Sequence, residues 1–110
     1  MKSKVVLADM KLKESLEKLK HSKQEDRNVH KWIERALSDL EKDAFCGIQI
    51  PKRLIPAEYL KKFGRLDNLW KYNLPNAWRL IYTVKKDQVV VLSIILEWMR
   101  HKEYARRFRY

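Results

Sequence analysis

The residues best suited to chemistry gather near the C-terminal end. His101 stands in the run Met99-Arg100-His101-Lys102-Glu103-Tyr104-Ala105-Arg106-Arg107. Cutting RNA through its own 2′-hydroxyl requires a base for the 2′-OH proton, a cation for charge on the phosphate and an acid for the 5′-oxygen. Imidazole suits the acid or base role near neutral pH. Guanidinium suits the phosphate, being planar and permanently charged. Tyr104 shares the His101 side of a helical turn, where it could stack a base. Arg79 is the second centre. It alternates against Trp78, Leu80 and Tyr82, as Lys71 alternates against Trp70 and Tyr72. If the aromatic sets pack on helices, Arg79 and Lys71 face the other side of a sheet. The same pattern allows Arg79 to be a surface residue in a cross-strand pair.

Other chemistries find no pattern. There is no glycine-rich phosphate loop, no CxxC pair and no HExxH. His21, His30 and His101 lack metal-ligand spacing, so neither metal nor cofactor is expected. His30 is read as an exposed helix residue pairing with Glu34, and His21 as a helix-end residue. Cys46 is the single cysteine, which excludes an intrachain disulfide and fits a reducing, cytoplasmic setting. The N-terminus lacks an apolar signal region, and the run Val89 to Leu96 is too short to span a bilayer. The 25 Lys and Arg against 14 Asp and Glu give a net charge of +11. Such a field favours nucleic acid, an acidic membrane face or an acidic protein.

The elements that must position these residues read as α+β in one domain, residues 1–110. Lys4 to Ala8 is a β-branched run, and Asp9 can cap a helix carrying Leu12, Leu16 and Leu19 to about His21. Val29, Trp32, Ile33, Ala36, Leu37 and Leu40 recur at offsets 0, 3, 4, 7, 8 and 11, predicting a helix from Asp26 to Ala44 stopped by Gly47. The two helices form a hairpin. Ile48 to Pro56 reads as an ordered loop bearing Lys52 and Arg53. Ala57 to Phe63 gives one or two helical turns, ended by Gly64. Leu69 to Tyr72, Trp78 to Val84 and Val89 to Trp98 form an antiparallel meander, turning at Leu74-Pro75-Asn76 and Lys85-Lys86-Asp87. The third strand, apolar on both sides, belongs inside the sheet. The basic tail forms a short helix. The hairpin covers one sheet face, and the other is expected to stay concave and partly open. Lys52, Arg53, Lys71, Lys102, Arg106 and Arg107 are the expected RNA contacts.

The element order, the segment NLWKYNLPNAWRLIYTV and the ending VVVLSIILEWMRHKEYARRF resemble the RelE/ParE toxin superfamily. The resemblance implies a RelE-like fold and a ribosome-dependent mRNA interferase. It implies a small antitoxin partner that wraps the toxin and covers or distorts its site. Arg79 matches the phosphate-stabilising arginine of the family's YRLIY-like strand, with Trp78 replacing the commoner Tyr. Tyr104 matches a C-terminal tyrosine, and Arg100 or His101 the Arg/His position before it. Glu97 is either a general base, as in some relatives, or an exposed surface glutamate. A non-catalytic binder of RNA or of a gyrase-type target, and an inactive family member, share the same outline.

Overall fold

The computed structural model describes residues 1–87 and 89–109. Strand β1 (Lys4–Leu7) leads into helices α1 (Met10–Lys20) and α2 (Gln24–Lys42). Then come strand β2 (Ile48–Gln49), a 3-10 turn (Lys52–Leu54) and helix α3 (Ala57–Phe63). Strands β3 (Trp70–Asn73), β4 (Trp78–Lys86) and β5 (Val91–Arg100) follow, and helix α4 (His101–Phe108) begins where β5 stops. The sheet order is β1-β5-β4-β3-β2, with β1 parallel to β5 and the other pairs antiparallel. The expected α+β order and meander are present, with β5 inside the sheet.

Helix α1 begins at Asp9, whose Oδ1 accepts from the Leu12 amide at 2.8 Å. The periodic set of α2 is what the fold buries. Val29, Ile33, Ala36 and Leu40 pack with Leu80 and Tyr82 of β4 and Ile95 of β5, and Leu12, Leu16 and Leu19 of α1 lie against them. His30 pairs with Glu34 at 2.7 Å, yet its side chain is only 12% exposed, so it is more enclosed than the sequence suggests.

The second sheet face departs from the expectation of an open concave surface. Tyr59 of α3 and Tyr104 and Phe108 of α4 form a second core with Ile50, Leu66, Leu69, Ile81, Leu96 and Met99. The apolar residues responsible sit in segments too short to show a period. Other boundaries move for local reasons. The proline-bearing loop contributes the edge strand β2, paired with β3. Strand β4 continues to Lys86, and the turn closes between Asp87 and Val90, whose backbone groups bond each other. Helix α2 stops at Lys42, ahead of Gly47. Gly47 is needed for close approach instead: a Cβ there would lie 2.5 Å from the Lys71 carbonyl oxygen and 2.6 Å from the Tyr82 hydroxyl.

Candidate active site and nucleic-acid interface

Alternation along β4 separates the side chains by face. Leu80 and Tyr82 enter the α2 core, while Arg79 and Ile81 turn to the α3–α4 side. Lys71 is the ladder partner of Ile81 on β3 and takes the same side. His101, the first residue of α4, comes down at the end of β5 beside Arg79. One guanidinium nitrogen of Arg79, Nη2, lies 3.3 Å from His101 Nδ1, and Nη1 donates to the Trp78 carbonyl at 3.0 Å. A guanidinium can only donate, so Nδ1 must accept and the neutral ring carries its proton on Nε2. Arg79 Nε is buried with no hydrogen-bond partner among the described residues. Lys71 Nζ lies 4.8 Å above the Tyr104 ring. Burial first, and then the neighbouring Arg79 charge, hold the Lys71 ammonium below its ordinary pKa.

Arg79, Lys71, His101 and Tyr104 are therefore brought together. Tyr104 is packed differently from the base-stacking role read from the sequence. It is 4% exposed and stacks on Phe108 with ring centroids 4.5 Å apart, and the His101 ring is 6.0 Å away. Helix α4 lays this side onto the sheet, so the Tyr104 ring supports His101 and Lys71 instead of presenting a face to RNA.

Arg100 lies apart. The β4–β5 ladder pairs it with Trp78, and its guanidinium carbon sits 5.3 Å from the Trp78 ring, on the helical-hairpin side. His101 and Arg100 are neighbours in the chain but leave the end of the strand by opposite faces. The remaining basic residues divide. Lys52 and Lys102 are exposed. Arg53 and Arg106 border a cleft of about 460 Å³ with Leu54, Pro56, Glu58 and Arg109. Arg107, an expected RNA contact, is instead held by three carboxylates: Glu97 in close contact, Glu103 at 3.3 Å and Glu58 at 3.7 Å. Burial pulls the Arg107 pKa down, and the Glu97 carboxylate more than offsets it, so the net shift is upward.

Glu97 is likewise more enclosed than an exposed surface glutamate, its side chain being 24% exposed. Ile81 pairs with Glu97 and Tyr82 with Ile95, which leaves Leu96 as the extra residue of a β-bulge. The bulge turns Leu96 and Glu97 to the same side, toward α3 and α4. There Glu97 Oε2 accepts from the Tyr59 hydroxyl at 2.5 Å. Burial, then this carboxylate, drive the Tyr59 phenol pKa upward. Tyr59 drew no attention in the sequence, because a tyrosine in a seven-residue helix carries no periodic signal.

With this geometry established, comparison with known proteins is informative. The profile of the YoeB-like toxins of bacterial type II toxin-antitoxin systems matches residues 12–98. Arg79 lies inside the match, whereas Arg100, His101 and Tyr104 lie beyond it. A protein named Toxin YoeB from Streptomyces coelicolor is 33% identical over 73 residues, covering 66% of this chain and 77% of that protein. No solved structure matches. The superfamily outline read from the sequence is thereby sharpened from RelE to YoeB: the chain belongs to the YoeB-like toxin family of bacterial type II toxin-antitoxin systems.

Proposed function

We propose that this toxin is a metal-independent endoribonuclease that cuts mRNA on the ribosome and so arrests translation in the cytoplasm. The observation that carries this reading is Arg79 against His101 where β4 starts and β5 ends, with Lys71 beside them. In the proposed step the 2′-oxygen attacks the adjacent phosphorus while a base removes the 2′-hydroxyl proton. The P–O5′ bond breaks, and the departing 5′-oxygen takes a proton from an acid. The products are a 2′,3′-cyclic phosphate and a 5′-hydroxyl end. Arg79 is oriented by the Trp78 carbonyl and His101, and its planar, permanently charged guanidinium supplies the cation for the phosphate. Lys71 adds a second cation on the same side. His101 is the acid–base group, and Tyr104 fixes its ring. A cognate antitoxin restrains the activity by covering or distorting this end of the sheet.

The test is primer extension on mRNA incubated with ribosomes and the purified chain. Discrete cuts are expected. Arg79→Ala should reduce them on the order of 10²–10³-fold, the loss typical of one preorganised donor to a developing anion. His101→Ala should reduce them on the order of 10²–10⁴-fold. If both variants fold and cut like the parent protein, the assignment fails. If the parent protein binds ribosomes and leaves no cuts, a non-catalytic binder replaces it.

A further inference from the structure

Arg100, displaced from the catalytic cluster, has a setting of its own. It borders a cleft of about 280 Å³ between the start of α2 and the end of the β4–β5 ladder, lined also by Glu25, Asp26, Trp32, Asn76 and Trp78. Val29, 3% exposed, reaches the floor from α2. The cleft falls just below the roughly 300 Å³ at which pockets for drug-sized ligands begin. Its walls are two indole rings, and the Arg100 guanidinium lies over that of Trp78. Its rim holds two carboxylates, with Asp26 fixed by the Ser22 hydroxyl at 2.6 Å.

The position gives the cleft its meaning. Trp78 and Arg100 are ladder partners, and each immediately precedes a residue of the candidate active site, Arg79 and His101. A strand of RNA bent over this end of the sheet would have its reacting phosphate on one face and a neighbouring nucleotide on the other. We propose that the cleft is a base-recognition subsite for that neighbouring nucleotide, with guanine as the preferred base. This rests on the mRNA-cleavage reading above.

The chemistry of the lining selects the ligand. A phosphate is disfavoured because Glu25 and Asp26 would face it with like charge. An unpaired base fits, since flat rings stack on indole and on guanidinium planes and are read along their hydrogen-bonding edges. A carboxylate on the rim accepts hydrogen bonds and offers none. Guanine presents two adjacent N–H donors, N1–H and the N2 amino group, which match one carboxylate. Adenine and cytosine present an amino group beside an acceptor, and uracil presents a single N–H between two carbonyls, which a carboxylate repels. A bidentate match of this kind discriminates by about tenfold.

Two readouts separate this inference from the reading it rests on. The first is quenching of tryptophan fluorescence by 2′-O-methyl pentanucleotides, which cannot be cut. The parent protein should bind an oligomer with a central guanine about tenfold more tightly than all-uridine. Trp78→Phe should diminish the quenching, and Glu25→Gln with Asp26→Asn should bring the two affinities within about twofold. The second is the spread of ribosomal cutting across mRNAs that differ only beside the cut, which the same double variant should flatten. If the carboxylate variant keeps the full discrimination, or if the parent shows none, the subsite is overturned, whether or not the protein cuts. If the parent binds the guanine oligomer selectively through Trp78 yet never cuts, mRNA cleavage fails and the base cleft stands. Circular dichroism of each variant confirms that α2, whose first turn holds both carboxylates, is intact.

Discussion

The two faces of the sheet are built by different means. On one side α2, nineteen residues long, sinks Ile33, Ala36 and Leu40 to complete burial, and the Tyr72 hydroxyl on Asp39 is a polar tie between it and the sheet. On the other, α3 and α4 have seven and eight residues. Helices that short are marginal by themselves. They are held by an aromatic column of Tyr104, Phe108 and Tyr59 and by the Arg107, Glu97 and Tyr59 network. The two cations Arg79 and Lys71 stand on this second side, with His101 beside them. The contrast suggests a division of labour: one face supplies folding stability, and the other holds charges of one sign together at some expense to it.

The largest effect expected from this contrast is on the first face. Leu40→Ala removes a fully buried side chain from the α2 core. Urea unfolding should show a loss of about 2–5 kcal/mol, large against a typical total of about 5–15 kcal/mol. Probes on both faces should lose structure together. If α4 melts first while α2 persists, the second face does not depend on the first and the contrast is drawn wrongly.

The same contrast explains what could be read from the sequence. Val29, Ile33, Ala36 and Leu40 announced the first core because a long helix repeats its apolar positions. Alternation in β4 placed Arg79 on the correct face for the same reason. Parity in β5 could not be counted this way. Simple alternation from Ile95 puts Glu97 on the α2 side, and the bulge at Leu96 reverses it. A bulge is a property of the ladder with β4, so residues of β5 alone do not reveal it. Arg100 was grouped with His101 by adjacency, although the strand end sends them to opposite faces. Tyr104 reads from the sequence as a base-stacking residue and Phe108 draws no reading, because the arginines around them dominate the composition of the tail and hide its apolar side.

A smaller effect should follow from breaking the second face. Glu97→Ala removes the acceptor of the Tyr59 hydroxyl and one of three carboxylates around Arg107. Leaving a buried hydroxyl without its partner costs about 1–3 kcal/mol. Glu58 and Glu103 still neutralise Arg107, which keeps the loss below that of an isolated buried charge. Hydrogen exchange should accelerate in α3 and α4 and stay unchanged in α2. Cutting should fall as well, since His101 rides on α4, and Glu97→Gln should restore part of it by keeping an oxygen for Tyr59. Equal acceleration on both sides of the sheet would show that the network does not act locally.

The smallest effect is an alkaline one, and it tests whether the faces titrate independently. Tyr72 donates to Asp39 Oδ2 at 2.5 Å on the α2 side, while Tyr59 donates to Glu97 on the other. Burial first and the carboxylate second raise both phenols, Tyr72 to about 12. A phenol whose pKa rises on folding stabilises the protein fully below its unfolded value of about 10, and that contribution fades as the pH climbs through the folded value. Phenolate absorbance should therefore show a step near 12 that Tyr72→Phe removes. Glu97→Gln takes the negative charge from beside Tyr59 and should lower the pH at which that phenol ionises, without moving the Tyr72 step. Were the Tyr72 step to move with Glu97→Gln, the two faces would share one electrostatic unit, and the separation between a stabilising face and a chemical one would have to be abandoned.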